Sequence, residues 1–163
     1  MRAPYGSQLR RLFASELKAA GLPFVEVKPQ PPDLWPGERA YVYKTPASIW
    51  QWLVLAPSQK DDSFRLDLGW SRRQRFPQVG RPSAEAPAEA IECVEYFCEL
   101  GQLSSEARPW NIDAFLRTAK ARDILSAMPG ALQSDPSTRV LVSIRACMQQ
   151  LHAVGLPFLA RVA

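Results

Sequence analysis

The 163-residue chain has a single histidine, His152, and no glycine-rich segment of the kind that binds phosphates. Any Ser-His-Asp or Cys-His arrangement would have to use that one imidazole, and the sequence nominates no acid to orient it. Gly69 and Gly80 stand alone, and no Gly-Lys-Ser/Thr follows a predicted strand, which excludes a P-loop. We therefore expect a protein that is not an enzyme and binds no cofactor.

Long apolar runs are also missing from the sequence. No stretch approaches the ~18 uninterrupted apolar residues of a membrane span, and the first residues lack an apolar run of signal-peptide length. The three cysteines, Cys93, Cys98 and Cys147, are an odd number in apolar surroundings, which favours reduced, buried thiols over a disulfide framework. These features predict a cytoplasmic protein without membrane association.

The cysteines and the histidine have a spacing that suggests zinc, Cys93-x4-Cys98 and Cys147-x4-His152. On a helix, residues five apart are separated by about 140° around the axis, so Cys147 and His152 would not converge. On a strand, Cys93 and Cys98 would point to opposite faces. The spacing therefore predicts no metal site.

The charge is unevenly distributed along a chain whose formal net charge is +4. Four arginines and no acid lie between Trp70 and Ala84, and five glutamates with no base follow them: Arg72, Arg73, Arg75 and Arg81, then Glu85, Glu89, Glu92, Glu95 and Glu99. Two such blocks can neutralise each other across a fold, which weakens any argument from the net charge to nucleic acid.

Period-2 patterns and turn residues predict four strands, at residues 24–27, 39–44, 50–56 and 62–70. Residues 62–70 alternate as a strand with one buried face does, whereas 50–56 is apolar on both faces, as in a covered central strand. Residues 91–100 fit a helix by glutamate spacing and a strand by residue type, and we favour the strand. The short links between strands predict antiparallel pairing.

Helices are predicted at both ends of the chain. Ser7 would cap the first, which runs through Ala20 and stops at Gly21. Asn111 or Asp113 would cap a second helix, closed by Pro129-Gly130, and Asp135 a last helix from Pro136 to Gly155. The prediction is one α+β domain over residues 1–163: an N-terminal helix, an antiparallel sheet of four to five strands, and C-terminal helices packed on one face.

The sequence Gly-Leu-Pro-Phe occurs twice, at residues 21–24 and 155–158. We interpret the two copies as similar helix ends rather than as a duplicated module, because the flanking sequences do not repeat.

The functional hypothesis concerns the exit of the fourth strand. Arginine suits carboxylate recognition and interface anchoring, so Trp70, Arg72, Arg73 and Arg75 are predicted to contact a protein partner. The alternative is a nucleic-acid-binding module that uses the same arginines and stacks bases on the sheet aromatics Trp50, Trp52 and Trp70. Structural explanations compete with both. The arginines would form a solvated turn or pair internally with Glu85 to Glu99. The aromatics would belong to the core face against the helices, which is the interpretation that we favour for them. The oligomeric state is left open.

Several short segments stand out beyond these patterns: Leu68-Gly69-Trp70-Ser71, Arg75-Phe76-Pro77, Arg81-Pro82, Trp110 and Gly155-Leu156-Pro157-Phe158-Leu159. Together they resemble small uncharacterised bacterial proteins, some of which look like immunity proteins for antibacterial toxins. The chain departs from the pattern at Pro109-Trp110, where paired tryptophans are expected. The resemblance implies the same α+β arrangement, carries over no catalytic residue, and points to a toxin as the partner that the protein neutralises.

Overall fold

The computed structural model describes residues 3–104, 110–115, 117–128 and 135–162, and within them confirms an α+β fold. The helices are α1 (Ala3–Ala19), α2 (Ile112–Phe115), α3 (Ala119–Ser126), α4 (Pro136–Gln150) and α5 (Leu156–Ala160). The strands are β1 (Val25–Glu26), β2 (Arg39–Lys44), β3 (Trp50–Pro57), β4 (Ser63–Ser71), β5 (Glu95–Glu99) and β6 (Trp110–Asn111). Short 3₁₀ turns precede and follow β5.

The strands form one antiparallel sheet in the order β1-β2-β3-β4-β5, and β6 pairs with the start of β4. The antiparallel pairing predicted from the short links is confirmed, and each predicted strand is present with its ends shifted by at most a few residues. The ambiguous stretch at 91–100 contains strand β5, and the additional strand β6 brings the total among the described residues to six.

One face of the sheet, here called the helix face, packs against α1 and α4. Alternate residues of β3 and β4 point to it, among them Leu53, Leu68 and Trp70, and all three are fully buried. Helix α1 contributes Leu9, Phe13 and Leu17, the apolar stripe predicted from their spacing. The helix begins at Ala3 rather than at the predicted cap Ser7.

The opposite face, here called the loop face, is apolar in the middle, where Ala40, Trp52, Val54 and Phe97 form a second core cluster. It is covered by the two proline-rich connections 27–38 and 72–83, whose side chains Leu34 and Phe76 pack on that cluster. Proline lacks the amide donor that a strand needs, so these segments cover the sheet instead of extending it.

The connection 72–83 also closes the outer edge of β5. The amide of Ser83 donates to the carbonyl of Phe97 (2.8 Å), and the amide of Phe97 donates to Ser83 Oγ (2.9 Å). Unpaired groups on an edge strand are a template for unwanted pairing. This part of the edge is therefore occupied by the chain itself.

The two Gly-Leu-Pro-Phe segments have different structures. Gly21 has a φ of +65° and ends α1 in the left-handed region, as predicted. Gly155 has a φ of −70°, and the chain continues through a π-helical turn (Leu151–Gly155) into α5, so the predicted helix end at Gly155 is wrong. A Cβ at Gly155 would lie 2.8 Å from Leu151 Cδ1 and 3.0 Å from Leu100 Cδ1, so a larger residue there would force these buried side chains to move.

The predicted helix from 111 to 128 is wrong in one respect, because two short helices replace it. Thr118 adopts an extended conformation and caps α3 by accepting from the amide of Ala121. Leu116 and the predicted closing pair Pro129-Gly130 lie outside the described residues. Asp135 caps α4 and Pro136 occupies its first turn, as predicted. In the described part of the chain, no helix has the length and apolar content to cross a bilayer.

Candidate functional site

The four residues predicted to contact a partner occupy different environments. Trp70 is fully buried: its ring stacks on Tyr96 at a centroid distance of 4.9 Å, and its Nε1–H donates to the carbonyl of Cys93 (3.1 Å). Trp70 does not reach the surface, so it cannot contact a partner directly as the sequence predicted. Its apolar neighbours on alternate positions indicated the core, and the structure places it there.

Arg75 is paired within the fold, as the structural explanation required. Its Nε lies 3.0 Å from Glu95 Oε1, and Glu95 also accepts from Ser71 Oγ and from the amide of Gln78. Burial pushes the pKa of Glu95 up, but the hydrogen bonds from Arg75, Gln78 and Ser71 outweigh burial and lower the pKa below its usual value. The Arg75–Glu95 pair therefore fixes the start of the 72–83 connection.

Arg72 and Arg73 are exposed at the turn that follows β4. The amide of Arg72 donates to the carbonyl of Val94 (2.9 Å), and its guanidinium donates to the carbonyl of Ile91 (3.2 Å). Val94 is itself 47% exposed. Arg72, Arg73 and Val94 therefore form a small basic and apolar surface, which we call the exit patch.

Arg81 takes part in a charged network between β4 and the connections that cover the loop face. The sequence did not indicate this network. We call this network the ionic cluster, and its members are Glu38, Arg65, Asp67, Arg81 and Glu99. Arg81 Nη2 lies 2.7 Å from Glu38 Oε2, and Arg81 Nη1 lies 3.6 Å from Asp67 Oδ2. Arg65 Nε donates to Asp67 Oδ1 at 2.9 Å, with Glu38 and Glu99 within 4.0 Å of its guanidinium.

Asp67 lies at the centre of the cluster and is only 1% exposed. Burial raises the pKa of Asp67 to about 6, although Arg65 and Arg81 act in the opposite direction. Asp67 Oδ2 and Arg81 Nη1 are buried, face each other, and make no hydrogen bond. The alternation of 62–70 had predicted a strand with one buried face, and this is wrong because the 72–83 connection covers Asp67 as well.

The most exposed aromatic among the described large hydrophobic residues is Trp35, at 70%. The amide of Trp35 donates to Glu38 Oε2 (3.0 Å), and the amide of Glu38 donates to the carbonyl of Trp35 (3.1 Å). Glu38 is held in turn by Arg81. The turn that carries Trp35 is thus fastened to the ionic cluster while its indole remains in solvent.

Two concavities of about 630 Å³ and 610 Å³ meet at Trp35, and Arg65 and Arg81 line both of them. The first continues past Lys60, Asp61 and Glu99, and the second past Asp33 and Val79. We call this region the Trp35 junction; its residues are Asp33, Trp35, Glu38, Lys60, Asp61, Arg65, Val79, Arg81 and Glu99. Trp35 was not among the residues that the sequence predicted to contact a partner. The available signal was a tryptophan in a segment that cannot belong to the sheet.

The sheet aromatics do not form one stacking surface. Trp52 pairs with Gly69 in the register of β3 and β4, so Trp52 lies on the loop face and Trp70 on the helix face. Trp52 is buried beneath Phe76, whose ring centroid lies 5.0 Å away. Trp50 is half-buried, with Lys44 Nζ 4.2 Å from its ring centroid. The predicted aromatic platform is therefore divided between two faces and largely covered.

The cysteines and the histidine are separated by the fold. Cys147 is fully buried, and burial raises the pKa of its thiol. His152 is exposed in the π-helical turn, beside Glu16 and Arg145. Among the described residues, no group of three or more histidine, cysteine, aspartate or glutamate side chains is placed to hold a metal ion.

Comparisons of the chain with protein-family models, with curated proteins and with solved structures found no match. The resemblance to toxin-immunity proteins therefore stays a prediction.

Proposed function

We propose that this protein acts by binding another protein, and that it performs no chemistry of its own. The observation that carries the proposal is Trp35, a tryptophan that is 70% exposed on a turn fastened to a buried ionic cluster. Tryptophan is among the residues that dominate protein–protein binding energies. Here it lies where two concavities meet.

The attachment of the turn favours binding. Glu38 bonds both to the amide of Trp35 and to Arg81, so the backbone beneath the indole is fixed before a partner arrives. A surface that is already ordered loses less conformational entropy on association than a mobile one. The concavities on either side of the indole give a partner shape to match, in addition to one aromatic ring.

The exit patch extends the proposed contact. The connection 72–83 carries Arg72 and Arg73 at one end and lines the Trp35 junction with Val79 and Arg81 at the other. A partner seated along this connection would meet both regions. Trp70 and Arg75 support this surface from within, through the core and through Glu95. A bacterial toxin that the protein neutralises is the partner class that the sequence resemblance suggests.

The nucleic-acid alternative has less support from the geometry. Its stacking platform is divided between the two sheet faces, and Arg75 is neutralised by Glu95. What remains of it is Arg72 and Arg73. Binding through phosphates predicts an affinity that falls steeply with salt. An oligonucleotide titration at low salt and again at high salt tests this alternative directly.

The test of the protein-binding proposal is quantitative capture of a partner from cells that naturally make the chain. Tagged wild type, Trp35→Ala and Val25→Ala are compared, because Val25 is a second exposed apolar residue (68%) and lies on the edge strand β1. We expect Trp35→Ala to reduce affinity for the captured partner by roughly tenfold or more, as hot-spot substitutions do, and Val25→Ala to leave it unchanged. Equal affinities for all three chains would contradict the proposal.

The exit patch is tested separately with Arg72→Glu plus Arg73→Glu. The matched control is Arg10→Glu plus Arg11→Glu, which makes the same charge change at an adjacent arginine pair on α1. We expect the exit-patch variant to lose partner binding while its urea-denaturation midpoint stays at the wild-type value. If both double variants weaken binding equally, net charge and not the patch determines affinity.

A further inference from the structure

We propose that the Trp35 junction receives a basic side chain of the partner, an arginine or lysine whose cation lies against the Trp35 indole; this inference rests on the protein-binding function proposed above. Three features of the junction support this contact: its arginines are already engaged, its remaining accessible charge is acidic, and its indole is exposed.

The arginines of the junction are already engaged by acids. Arg81 is about nine-tenths buried and lies between Glu38 (2.7 Å) and Asp67 (3.6 Å). Arg65 is more open, but three carboxylates lie within 4.0 Å of its guanidinium, those of Asp67, Glu99 and Glu38. An incoming carboxylate would therefore have to compete with buried partners for either guanidinium.

The accessible charge around the indole is acidic on balance. Glu38, Asp67 and Arg81 are nine-tenths or more buried and engage one another. The charged residues of the junction that reach solvent are Asp33, Asp61 and Glu99 against Lys60 and Arg65. The accessible formal charge is thus −1, in a chain whose net charge is +4. Asp33 and Asp61 are both exposed, one in each concavity. This surface attracts a cation although the whole molecule repels one.

The indole supplies the specific contact. The face of a tryptophan ring is electron-rich and attracts ammonium and guanidinium groups more strongly than the other aromatic rings do. Trp35 is exposed and its backbone is held by Glu38, so its ring face is open to a ligand. An aromatic face with carboxylates at both sides is complementary to an arginine or lysine side chain, whose stem packs on the ring while its charge meets the acids.

The test uses amidated tetra-arginine and tetra-glutamate peptides, each carrying a fluorophore, and measures their dissociation constants by fluorescence anisotropy. We expect wild type to bind tetra-arginine more tightly than tetra-glutamate, against the sign of its net charge. Two-dimensional NMR locates the site, because the Trp35 indole N–H resonance, assigned by its loss in Trp35→Phe, should shift with tetra-arginine while the resonance of buried Trp70 does not. Tetra-glutamate binding that shifts the Trp35 resonance more strongly would overturn the inference.

Three variants separate this contact from general attraction between charges. Trp35→Leu keeps an apolar side chain without a ring, and we expect it to weaken tetra-arginine binding by roughly threefold or more. Asp33→Asn should weaken it by roughly twofold. Asp123→Asn makes the same charge change at an exposed residue of α3 and should have no effect. Unchanged affinity in Trp35→Leu would mean that the peptide binds elsewhere, and the inference would be wrong.

The failures of this inference and of the proposed function are distinguishable. If Trp35→Ala weakens the natural partner but tetra-arginine does not shift the Trp35 resonance, the junction binds a protein through some other chemistry. If tetra-arginine binds at Trp35 but the natural partner is unaffected by Trp35→Ala, the junction is a cation site and the protein-binding proposal fails.

Discussion

The two faces of the sheet are covered in different ways. On the helix face, α1 and α4 bury apolar side chains such as Leu53, Leu68 and Trp70 in one continuous core. On the loop face, a smaller apolar cluster around Trp52 and Phe97 gives way to the ionic cluster, where Arg81 joins the two proline-rich connections to β4.

This difference bears on which face of the sheet the proposed partner would contact. The side chains that α1 and α4 place on the helix face are buried and cannot contact a partner. The connections over the loop face have no regular backbone pairing with the sheet along most of their length, so charged contacts hold them and leave Trp35 and Val79 exposed. Loops placed on a rigid scaffold are the usual location of binding residues.

The largest effect is expected from a tryptophan of the helix face. Trp70→Ala removes a fully buried ring that stacks on Tyr96 and packs near Phe158. It should lower the free energy of unfolding by about 4 kcal/mol. Trp35→Ala, at an exposed position of the loop face, should change it by about 0.5 kcal/mol or less. Urea denaturation measures both, and similar losses would show that Trp35 is structural.

The next largest effect is expected from Arg81, which joins the two connections on the loop face to β4. Arg81→Leu removes the cation closest to buried Glu38 and leaves Asp67 with Arg65 alone. We expect a loss of about 3 kcal/mol at pH 7, because an uncompensated buried charge is costly. Hydrogen exchange should show faster opening of the 72–83 connection, with α1 and α4 unchanged until global unfolding. Slower exchange in that connection would show that Arg81 is not what holds it.

Asp67 makes the stability of the loop face depend on pH in the acidic range. Its pKa rises from 3.8 to about 6 on folding, mainly through burial, so the folded state holds this proton more tightly than the unfolded state. The stabilisation from this group is present below about pH 4 and is lost as the pH rises through about 6. Wild type should therefore lose roughly 2 to 3 kcal/mol relative to Asp67→Asn between these values.

Denaturation of both chains at pH 4, 5, 6 and 7 measures this difference in the free energy of unfolding. Subtracting one chain from the other cancels the contribution of the titratable groups that they share. A constant difference across the series would mean that Asp67 titrates in the folded protein as it does in the unfolded chain.

The smallest effects distinguish the arginines at the exit of β4. Arg75→Ala breaks a half-exposed pair with Glu95 and should cost about 1 kcal/mol or less. Arg73→Ala, at an exposed position of the same turn, should cost about 0.5 kcal/mol or less. Equal losses would show that the Arg75–Glu95 pair contributes nothing beyond an exposed turn residue.

The elements with strong local patterns could be predicted from the sequence. The apolar stripe of α1, the stop at Gly21, the cap and first proline of α4 and the strands from 39 onward all depend on interactions within a few residues. Antiparallel pairing followed from link lengths too short for a crossover. The placement of Trp70 in the core also agreed with its alternation, although the contact prediction had included it.

The candidate site could not be predicted in this way, because its parts are distant in sequence. Glu38, Asp67 and Arg81 carry ordinary local signals for a loop, a strand and a loop, and only the crossing of the 72–83 connection over β4 brings them together. The same crossing buries Asp67, which the alternation of β4 had placed on an open face. Gly155 shows a similar limit, since its sequence matches Gly21 but its packing against Leu151 and Leu100 decides its conformation.

The sequence by itself determined that this is an α+β chain with an antiparallel sheet, because hydrophobic periodicity and short links act locally. Tertiary structure alone decided which arginines are engaged: Arg75 by Glu95, Arg81 by Glu38 and Asp67, with Arg73 left in solvent. It also decided that Trp35 is exposed at the junction and Trp70 is buried. The physical reason is that burial and ion pairing depend on which segments cover a residue, and those segments lie far from it along the chain.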